Sequence, residues 1–441
     1  MFKFSLLCAA AALFVSTAWI SAEEPAQQCQ FDLTAGRSVL PADKKTELCL
    51  KVGVTGFRLE SDVKRPDLNI SLVIDRSGSM SGERIKQAKE AAAFAVNQMS
   101  ENDIVSVVIY DSDVEVLVPA TKLSDKKAVL DKIGSIEVGG TTALYAGTEK
   151  GAEEVKKFFD KGRVNRVILL SDGLANVGPS EPSDLKKLGQ KIGGDGITVT
   201  TLGLGDGYNE DLMQQLAQAA DGNHAFITSE KNLVEVFDEE FKTATKVVAA
   251  EATCKVVCAE GIRPIRVMNR DAKIEGQEVS FGWNQIYSGH QRYVLLEVEV
   301  PAGSDGEKRP LATATLSYAN MKTNRTDTLS ASAEIGYSNS EDAVKASENE
   351  EVMKDYVSQS VALARDEAIR LRDSGDVKGA QTVLGVARAA AGRAGMDSMA
   401  TELSEESRVM SAPGSAWNSA RKSIRAKSNS LQNQQMSEPV K

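Results

Sequence analysis

The chain has 441 residues and a formal net charge of −10, with 42% hydrophobic and 26% charged residues. This length predicts about two or three domains, and the composition excludes both a disordered polymer and a bundle of membrane helices. Only two histidines occur, His224 and His290, which excludes a histidine-rich metal centre, and the negative charge argues against nucleic-acid binding.

Residues 1–22 have the pattern of a secretory signal peptide. Lys3 supplies one positive charge, residues 4–20 are apolar and uncharged, and small residues end the run at Ala22. We therefore expect an exported protein that is periplasmic, secreted or bound to the cell surface. The alternative is an uncleaved anchor, because a run of about 17 residues is at the lower limit for spanning a bilayer.

Four cysteines follow the predicted signal: Cys29, Cys49, Cys254 and Cys258. In an oxidising compartment they predict two disulfides, and their spacing argues against the alternative of a zinc site. Cys254 and Cys258 lie in a predicted strand, where their separation of about 13 Å forbids a mutual bond. Their expected partners are Cys29 and Cys49. This pairing would join the predicted strands of residues 23–66 to a later β-domain, with the intervening segment as an insertion.

Residues 67–246 alternate short apolar runs with segments of helical periodicity. Predicted buried strands lie at 68–74, 105–110, 167–170 and 197–204, and helical patterns include 82–99, 144–159, 183–192 and 210–219. This alternation predicts an α/β domain with a doubly wound, mostly parallel sheet covered by helices on both faces.

Polar motifs follow two of these strands and precede one of the helices. They read Asp75-Arg76-Ser77-Gly78-Ser79, Gly139-Gly140-Thr141-Thr142 and Ser171-Asp172-Gly173. Ligands of such sheets bind beyond the carboxyl ends of the strands, so we expect these loops to converge. Carboxylates and hydroxyls are hard oxygen donors that suit Mg²⁺, Mn²⁺ or Ca²⁺.

Each motif alone is common in loops, helix caps and turns, but the combination in one α/β domain is specific. The candidate metal ligands are Asp75, Ser77, Ser79, one of the threonines Thr141 and Thr142, and Asp172. Neutral hydroxyls leave a divalent ion partly unneutralised, so an acidic side chain of a partner suits the remaining coordination position.

At these residues the sequence resembles the von Willebrand factor type A domain and its metal-ion-dependent adhesion site, over about residues 67–246. The family pattern D-x-S-x-S, T, D falls on Asp75, Ser77, Ser79, Thr141 and Asp172, and its Gly-Gly-Thr segment favours Thr141 over Thr142. The resemblance implies a Rossmann-like fold, a bound Mg²⁺ and capture of a partner carboxylate. The surrounding sequence is similar to exported bacterial members and, in layout, to inter-alpha-trypsin inhibitor heavy chains.

The remaining residues predict three further segments. Residues 247–337 alternate short strands with turns and predict an antiparallel β-sandwich. Residues 338–412 have helical periodicity and predict helical hairpins. Residues 413–441 are rich in Ser, Asn and Gln and predict a disordered, weakly basic tail, with contact to a membrane surface or cell wall as the alternative.

These patterns favour an exported, non-enzymatic adhesion or assembly protein that binds an Asp or Glu of a protein partner through a Mg²⁺-type ion. The alternative is a hydrolase that uses the same ion as a Lewis acid, which the scarcity of acid–base partners disfavours. A chloride channel, a label given to some similar chains, is disfavoured because this sequence has no second apolar segment of spanning length.

Overall fold

The computed structural model describes residues 28–59, 65–205 and 207–434. The predicted signal peptide, residues 1–22, lies outside these ranges. None of the helices within them is both long enough and apolar enough to cross a bilayer.

The first strands of the described chain belong to a β-sandwich whose other strands come later in the sequence. They are β1 (Gln30–Ala35), β2 (Val39–Pro41) and β3 (Thr46–Thr55). β1 and β3 form an antiparallel pair.

The α/β domain follows and is built on a six-stranded sheet. Its strands are β4 (Asp67–Asp75), β5 (Ile104–Tyr110), β6 (Val114–Lys122), β7 (Arg163–Ser171), β8 (Thr198–Leu204) and β9 (His224–Ile227). The order across the sheet is β6-β5-β4-β7-β8-β9, and only β6 is antiparallel to its neighbour. β4 is therefore central, and its carboxyl end lies between those of β5 and β7.

Helices cover both faces of this sheet. They are α1 (Glu83–Gln98), α2 (Lys126–Gly134), α3 (Leu144–Lys156), α4 (Pro182–Gly194), α5 (Glu210–Ala219) and α6 (Leu233–Thr245). Side chains of β4 alternate between two cores, with Leu72 and Ile74 among residues of α1, α2 and α6, and Val73 among residues of α3, α4 and α5. The predicted doubly wound fold is confirmed.

The second domain is a β-sandwich whose strand pairs are antiparallel except for β2, which pairs in parallel with the last strand. Its later strands are β10 (Val247–Cys258), β11 (Arg263–Val267), β12 (Lys273–Glu275), β13 (Glu278–Tyr287), β14 (Gln291–Val300), β15 (Lys308–Asn320) and β16 (Arg325–Ser338). The sheets have the orders β1-β3-β14-β11 and β12-β13-β10-β15-β16-β2, and their inner faces share one apolar core. Since β3 pairs with β14, the α/β domain interrupts the sandwich in sequence.

A buried polar network joins the two domains. Arg166 of β7 forms an ion pair with Glu240 of α6 at 3.3 Å, and it also donates hydrogen bonds to Gln285 and Tyr287 of β13. Both charged side chains are almost completely buried. Because breaking a buried pair leaves an uncompensated charge, this network restricts how the α/β domain can sit on the sandwich.

The last described segment of the chain is a group of helices. They are α7 (Glu341–Ala346), α8 (Glu350–Asp373), α9 (Val377–Arg393), α10 (Asp397–Val409) and α11 (Gly414–Asn433). α8, α9, α10 and α11 share an apolar core.

The prediction of a disordered tail from residue 413 is wrong for the residues that form α11. Trp417, Ile424 and Leu431 recur every seven residues and face the core of the helical region. The polar composition of this segment predicted disorder, but its basic side chains pair with acidic groups on other helices. The sequence of the tail alone does not show those partners.

The predicted disulfides are absent from the described chain, where Cys29, Cys49, Cys254 and Cys258 are free and buried. Side chains alternate along β3, so Cys49 points away from the sandwich core and lies among Tyr293 and Val352, against α8. Cys254 and Cys258 point into the opposite core. The prediction failed for Cys49 because it ignored which face of β3 this residue occupies. Cys29 lies in the same core as Cys254 and Cys258 but is bonded to neither.

Candidate metal centre

Asp75 lies at the carboxyl end of the central strand and is fully buried. Ser171, the last residue of β7, donates its hydroxyl to Asp75 Oδ2 at 2.7 Å, and the backbone N–H of Ser77 donates to Oδ1 at 2.8 Å. Burial raises the pKa of Asp75 to about 6, and these hydrogen bonds oppose the rise. The carboxylate is thus held in one orientation.

The serines of the first loop connect Asp75 to the end of β7. Ser79 Oγ donates to Asp172 Oδ1 at 2.7 Å and lies 3.1 Å from Ser77 Oγ. Asp172 is almost completely buried. The structure therefore brings four of the predicted residues together: Asp75, Ser77, Ser79 and Asp172.

Thr142 rather than Thr141 faces this group. Thr142 is buried, whereas the Thr141 side chain is exposed and lies within hydrogen-bond distance, 2.9 Å, of Ser112 Oγ. The predicted residue Thr141 therefore lies outside the cluster, and its neighbour takes the expected place. The sequence offered both threonines, but only the course of the loop decides which hydroxyl points inward.

Gly173 leaves space among the clustered oxygens. A Cβ atom at this position would lie 3.1 Å from Thr142 Oγ1, 3.4 Å from Ser79 Oγ and 3.8 Å from Asp75 Oδ2. These three oxygens thus border one small space that a larger residue would fill.

The donor set fits a hard divalent cation. Neither this cluster nor any other part of the described chain has a group of three or more His, Cys, Asp or Glu side chains placed to hold a metal ion. The cluster combines only two carboxylates with hydroxyl oxygens. Oxygen ligands of this kind suit Mg²⁺, Mn²⁺ or Ca²⁺ better than a thiophilic metal.

Backbone hydrogen bonds join the contributing loops. The N–H of Gly139 donates to the carbonyl of Arg76 at 2.8 Å, and the N–H of Thr142 donates to Asn176 Oδ1 at 2.8 Å. The loop before α3 is thereby attached to the loops after β4 and β7. The cluster is held by the main chain as well as by its side chains.

Sequence reasoning assigned no role to three residues that shape the centre: Ser171, Asn176 and Arg84. Ser171 directly precedes Asp172 at the end of a strand, and this position could have indicated that its hydroxyl contacts the centre. Arg84 Nη1 lies 2.5 Å from Asp172 Oδ2, and no spacing rule predicted a cation from α1 in this position. Asn176 acts through a loop contact that becomes visible only in three dimensions.

Two exposed aliphatic side chains lie on loops of the centre. Leu174 follows Gly173 directly and is 57% exposed, and Val138 precedes Gly139 and is 41% exposed. Single exposed apolar side chains are common on protein surfaces and do not by themselves indicate a contact surface. Here both occur beside the oxygen cluster.

The sequence of the α/β domain matches a known family. Residues 69–239 match the family model of the von Willebrand factor type A domain. The chain is 30% identical over 209 residues to the uncharacterized protein YfbK of Escherichia coli K12. The alignment covers 47% of this chain and 36% of that protein. It is 31% identical over 167 residues to human inter-alpha-trypsin inhibitor heavy chain H3, covering 36% of this chain and 18% of that protein.

The chain spans less than half the length of these curated relatives. Solved structures match over nearly all of it. The von Willebrand factor type A protein from Catenulispora acidiphila has a TM-score of 0.71 at 18% identity and covers 87% of this chain and 88% of its own. The ArnB paralog VWA2 from Sulfolobus acidocaldarius has a TM-score of 0.65 at 19% identity, with 91% and 98% covered. At these identities the likeness concerns the fold.

Proposed function

Because residues 69–239 form a von Willebrand factor type A domain, we propose that this chain is an exported, non-enzymatic adhesion or assembly protein. It binds a divalent cation of the Mg²⁺ type at Asp75, Ser77, Ser79, Thr142 and Asp172. Through that centre it captures an Asp or Glu side chain of a partner protein. Domains of this family commonly mediate protein–protein interaction, which supports the general class of function.

The observation that carries the proposal is the hydrogen bond from Ser79 to Asp172. It joins the loop after β4 to the loop after β7, and Thr142 borders the same space. These side chains would orient the ion. A cation bound there supplies the positive charge that attracts a carboxylate.

The surroundings of the cluster favour a protein partner over a small anion. Leu174 and Val138 are exposed beside it and can contact apolar side chains that flank the partner's carboxylate. Neither histidine supports a hydrolase. His224 Nδ1 lies 2.8 Å from Thr201 Oγ1, and His290 Nε2 lies 2.6 Å from the carbonyl of Gln434. Both ring contacts serve the fold.

Export is proposed from the sequence pattern of residues 1–22. It places the mature chain in the periplasm, outside the cell or at the cell surface, where a partner on another protein or cell is accessible.

Crosslinked pull-down from the cell envelope, with and without chelator, tests the proposal. The expected partners are lost both on chelation and in the Asp75→Asn variant. Replacing the contacting Asp or Glu of an identified partner by Asn or Gln should abolish binding as well. Partners that persist through chelation and through both substitutions would place the binding surface elsewhere.

A further inference from the structure

We infer that Lys422 of the C-terminal helix α11 is a positioning residue for the candidate metal centre, and that docking of α11 raises the affinity of this centre for a divalent cation. The inference rests on the proposed function, because it assumes that the centre binds such an ion. α11 lies outside the von Willebrand factor type A domain in sequence but contacts it in space.

The contact begins at the Lys422 ammonium group. Its Nζ donates to the carbonyl oxygen of Tyr208 at 2.6 Å and to the carboxylate of Glu210, and it lies 4.5 Å from the centre of the Tyr208 ring. Lys422 is 4% exposed and Glu210 5%. A buried ammonium group is unfavourable unless it is paired. The carbonyl of Tyr208 and the carboxylate of Glu210 supply these partners when α11 is docked against the α/β domain.

Gly207 and Tyr208 lie between β8 and α5, beside the metal centre. A Cβ atom at the preceding Gly207 would be 2.8 Å from the carbonyl oxygen of Asp172, so the two backbones touch. The Tyr208 ring occupies the space beside Gly203, and Gly203 pairs with Ser171 in the sheet. A continuous series of contacts therefore leads from Lys422 to the residue that precedes Asp172 and to Asp172 itself.

Neighbouring basic residues of α11 strengthen the docking. Arg421 pairs with Asp211 of α5 at 2.7 Å and with Asp373 of α8 at 2.8 Å. Arg425 pairs with Asp211 at 3.0 Å and with Asp366 of α8 at 2.7 Å. α11 thus connects the α/β domain to the helical region.

Lys427 of the same helix offers a matched control. It pairs with Glu402 at 3.1 Å and with Glu406 at 3.6 Å, both on α10. These contacts lie within the helical region and do not reach the connection after β8.

The consequence concerns the metal centre. With α11 docked, Lys422 holds the connection after β8 against the backbone of Asp172 and so fixes the direction of its carboxylate. With α11 undocked, this support is lost, and the centre must be ordered when the ion binds. By thermodynamic reciprocity, the cation in turn stabilises the docked helix.

Titration calorimetry with Mg²⁺ on the full mature chain provides the first test. We expect Lys422→Met to weaken Mg²⁺ binding by about tenfold or more, as is typical when a group that orients metal ligands is lost. Lys427→Met should leave the affinity within about twofold of the parent. A folded Lys422→Met variant with unchanged affinity would overturn the inference.

Amide hydrogen exchange of the unsubstituted chain provides the second test and does not depend on a variant folding well. Saturating Mg²⁺ should slow exchange along α11 but not along α9, and this slowing should vanish in Asp75→Asn. An amide exchange rate along α11 that is the same with and without Mg²⁺ would also overturn the inference. If the chain binds no divalent cation, both this inference and the proposed function fail, whereas binding that is indifferent to Lys422 and α11 refutes the inference alone.

Discussion

Arg84 and Asp172 form an ion pair within the candidate metal centre, with Arg84 Nη1 2.5 Å from Asp172 Oδ2. The other oxygen of this carboxylate accepts the hydroxyl hydrogen bond of Ser79. A divalent cation that binds near Asp172 must therefore do so beside a positive charge. The arginine neutralises part of the carboxylate charge that would otherwise attract the ion.

Replacing Arg84 should strengthen cation binding. In Arg84→Met the competing charge is gone while the aliphatic part of the side chain remains, so we expect Mg²⁺ affinity to rise by roughly threefold to tenfold, equivalent to about 1 kcal/mol. Calorimetry at low ionic strength measures the change. Lys86→Met is the control, because Lys86 lies on the same helix and pairs with Glu83 at the surface. Unchanged binding in Arg84→Met would contradict this competition, and weaker binding would show that the arginine supports the centre.

Asp75→Asn should abolish cation binding and preserve the fold. The amide keeps the shape of the buried carboxylate, and its oxygen can still accept from Ser171 although its NH2 group cannot accept from the Ser77 N–H. Asp75→Ala would instead leave both of these donors without an acceptor. Calorimetry with Mg²⁺ and circular dichroism of the metal-free variant provide the two readouts. Retained Mg²⁺ affinity would remove Asp75 from the ligand set.

The two threonines should differ in their effect on the ion. Thr142→Val removes an oxygen that borders the cluster and should weaken Mg²⁺ binding on the order of tenfold. Thr141→Val removes an exposed hydroxyl that contacts Ser112 and should leave the affinity nearly unchanged. The reverse order, measured in the same titrations, would favour Thr141 as the ligand.

Leu174 should matter for the partner and not for the ion. Leu174→Ser removes an exposed apolar side chain beside the cluster, and we expect partner affinity to fall by about threefold to thirtyfold at constant Mg²⁺ affinity. Val386→Ser is a suitable comparison, since Val386 is 67% exposed on α9. Equal losses in the two variants would argue against a partner contact at Leu174.

His224 should make stability depend on pH. Burial lowers its pKa to about 4, a nearby Glu210 charge opposes this effect, and the Lys422 charge adds to it. Between about pH 6.5 and pH 4 the unfolded chain binds a proton that the folded chain does not, so stability falls as pH is lowered through this window. The loss approaches about 3 kcal/mol at pH 4 and is absent above pH 7.

Chemical denaturation of His224→Gln and the parent chain in chelator measures this effect. The folded pKa of Asp75, raised to about 6, gives the opposite slope in part of the same window. The relevant quantity is therefore the difference in the free energy of unfolding between the parent chain and His224→Gln. This difference should change by about 3 kcal/mol from pH 7 to pH 4, and a constant difference would contradict a buried neutral His224.

Local sequence determined the α/β domain and most of its centre. Short apolar runs such as 68–74 and 167–170 favour buried strands by their length, and polar residues that follow parallel strands lie at one edge of the sheet. For this reason the convergence of Asp75, Ser77, Ser79 and Asp172 was predictable from the sequence. Strand alternation and helical periodicity likewise predicted the sandwich and the helices up to α10.

The tertiary structure determined those features that depend on contacts between residues distant in sequence. The inward turn of Thr142 follows from the hydrogen bond between its N–H and Asn176. Cys49 faces α8 because β3 lies between two packed layers, so no strand distance could assign it a disulfide partner. α11 is ordered by Glu210, Asp211, Asp366 and Asp373, which supply the opposite charges for its basic residues. A polar segment in isolation cannot offset the entropy of ordering, whereas the fold provides both these acidic partners and the apolar core that receives Trp417, Ile424 and Leu431.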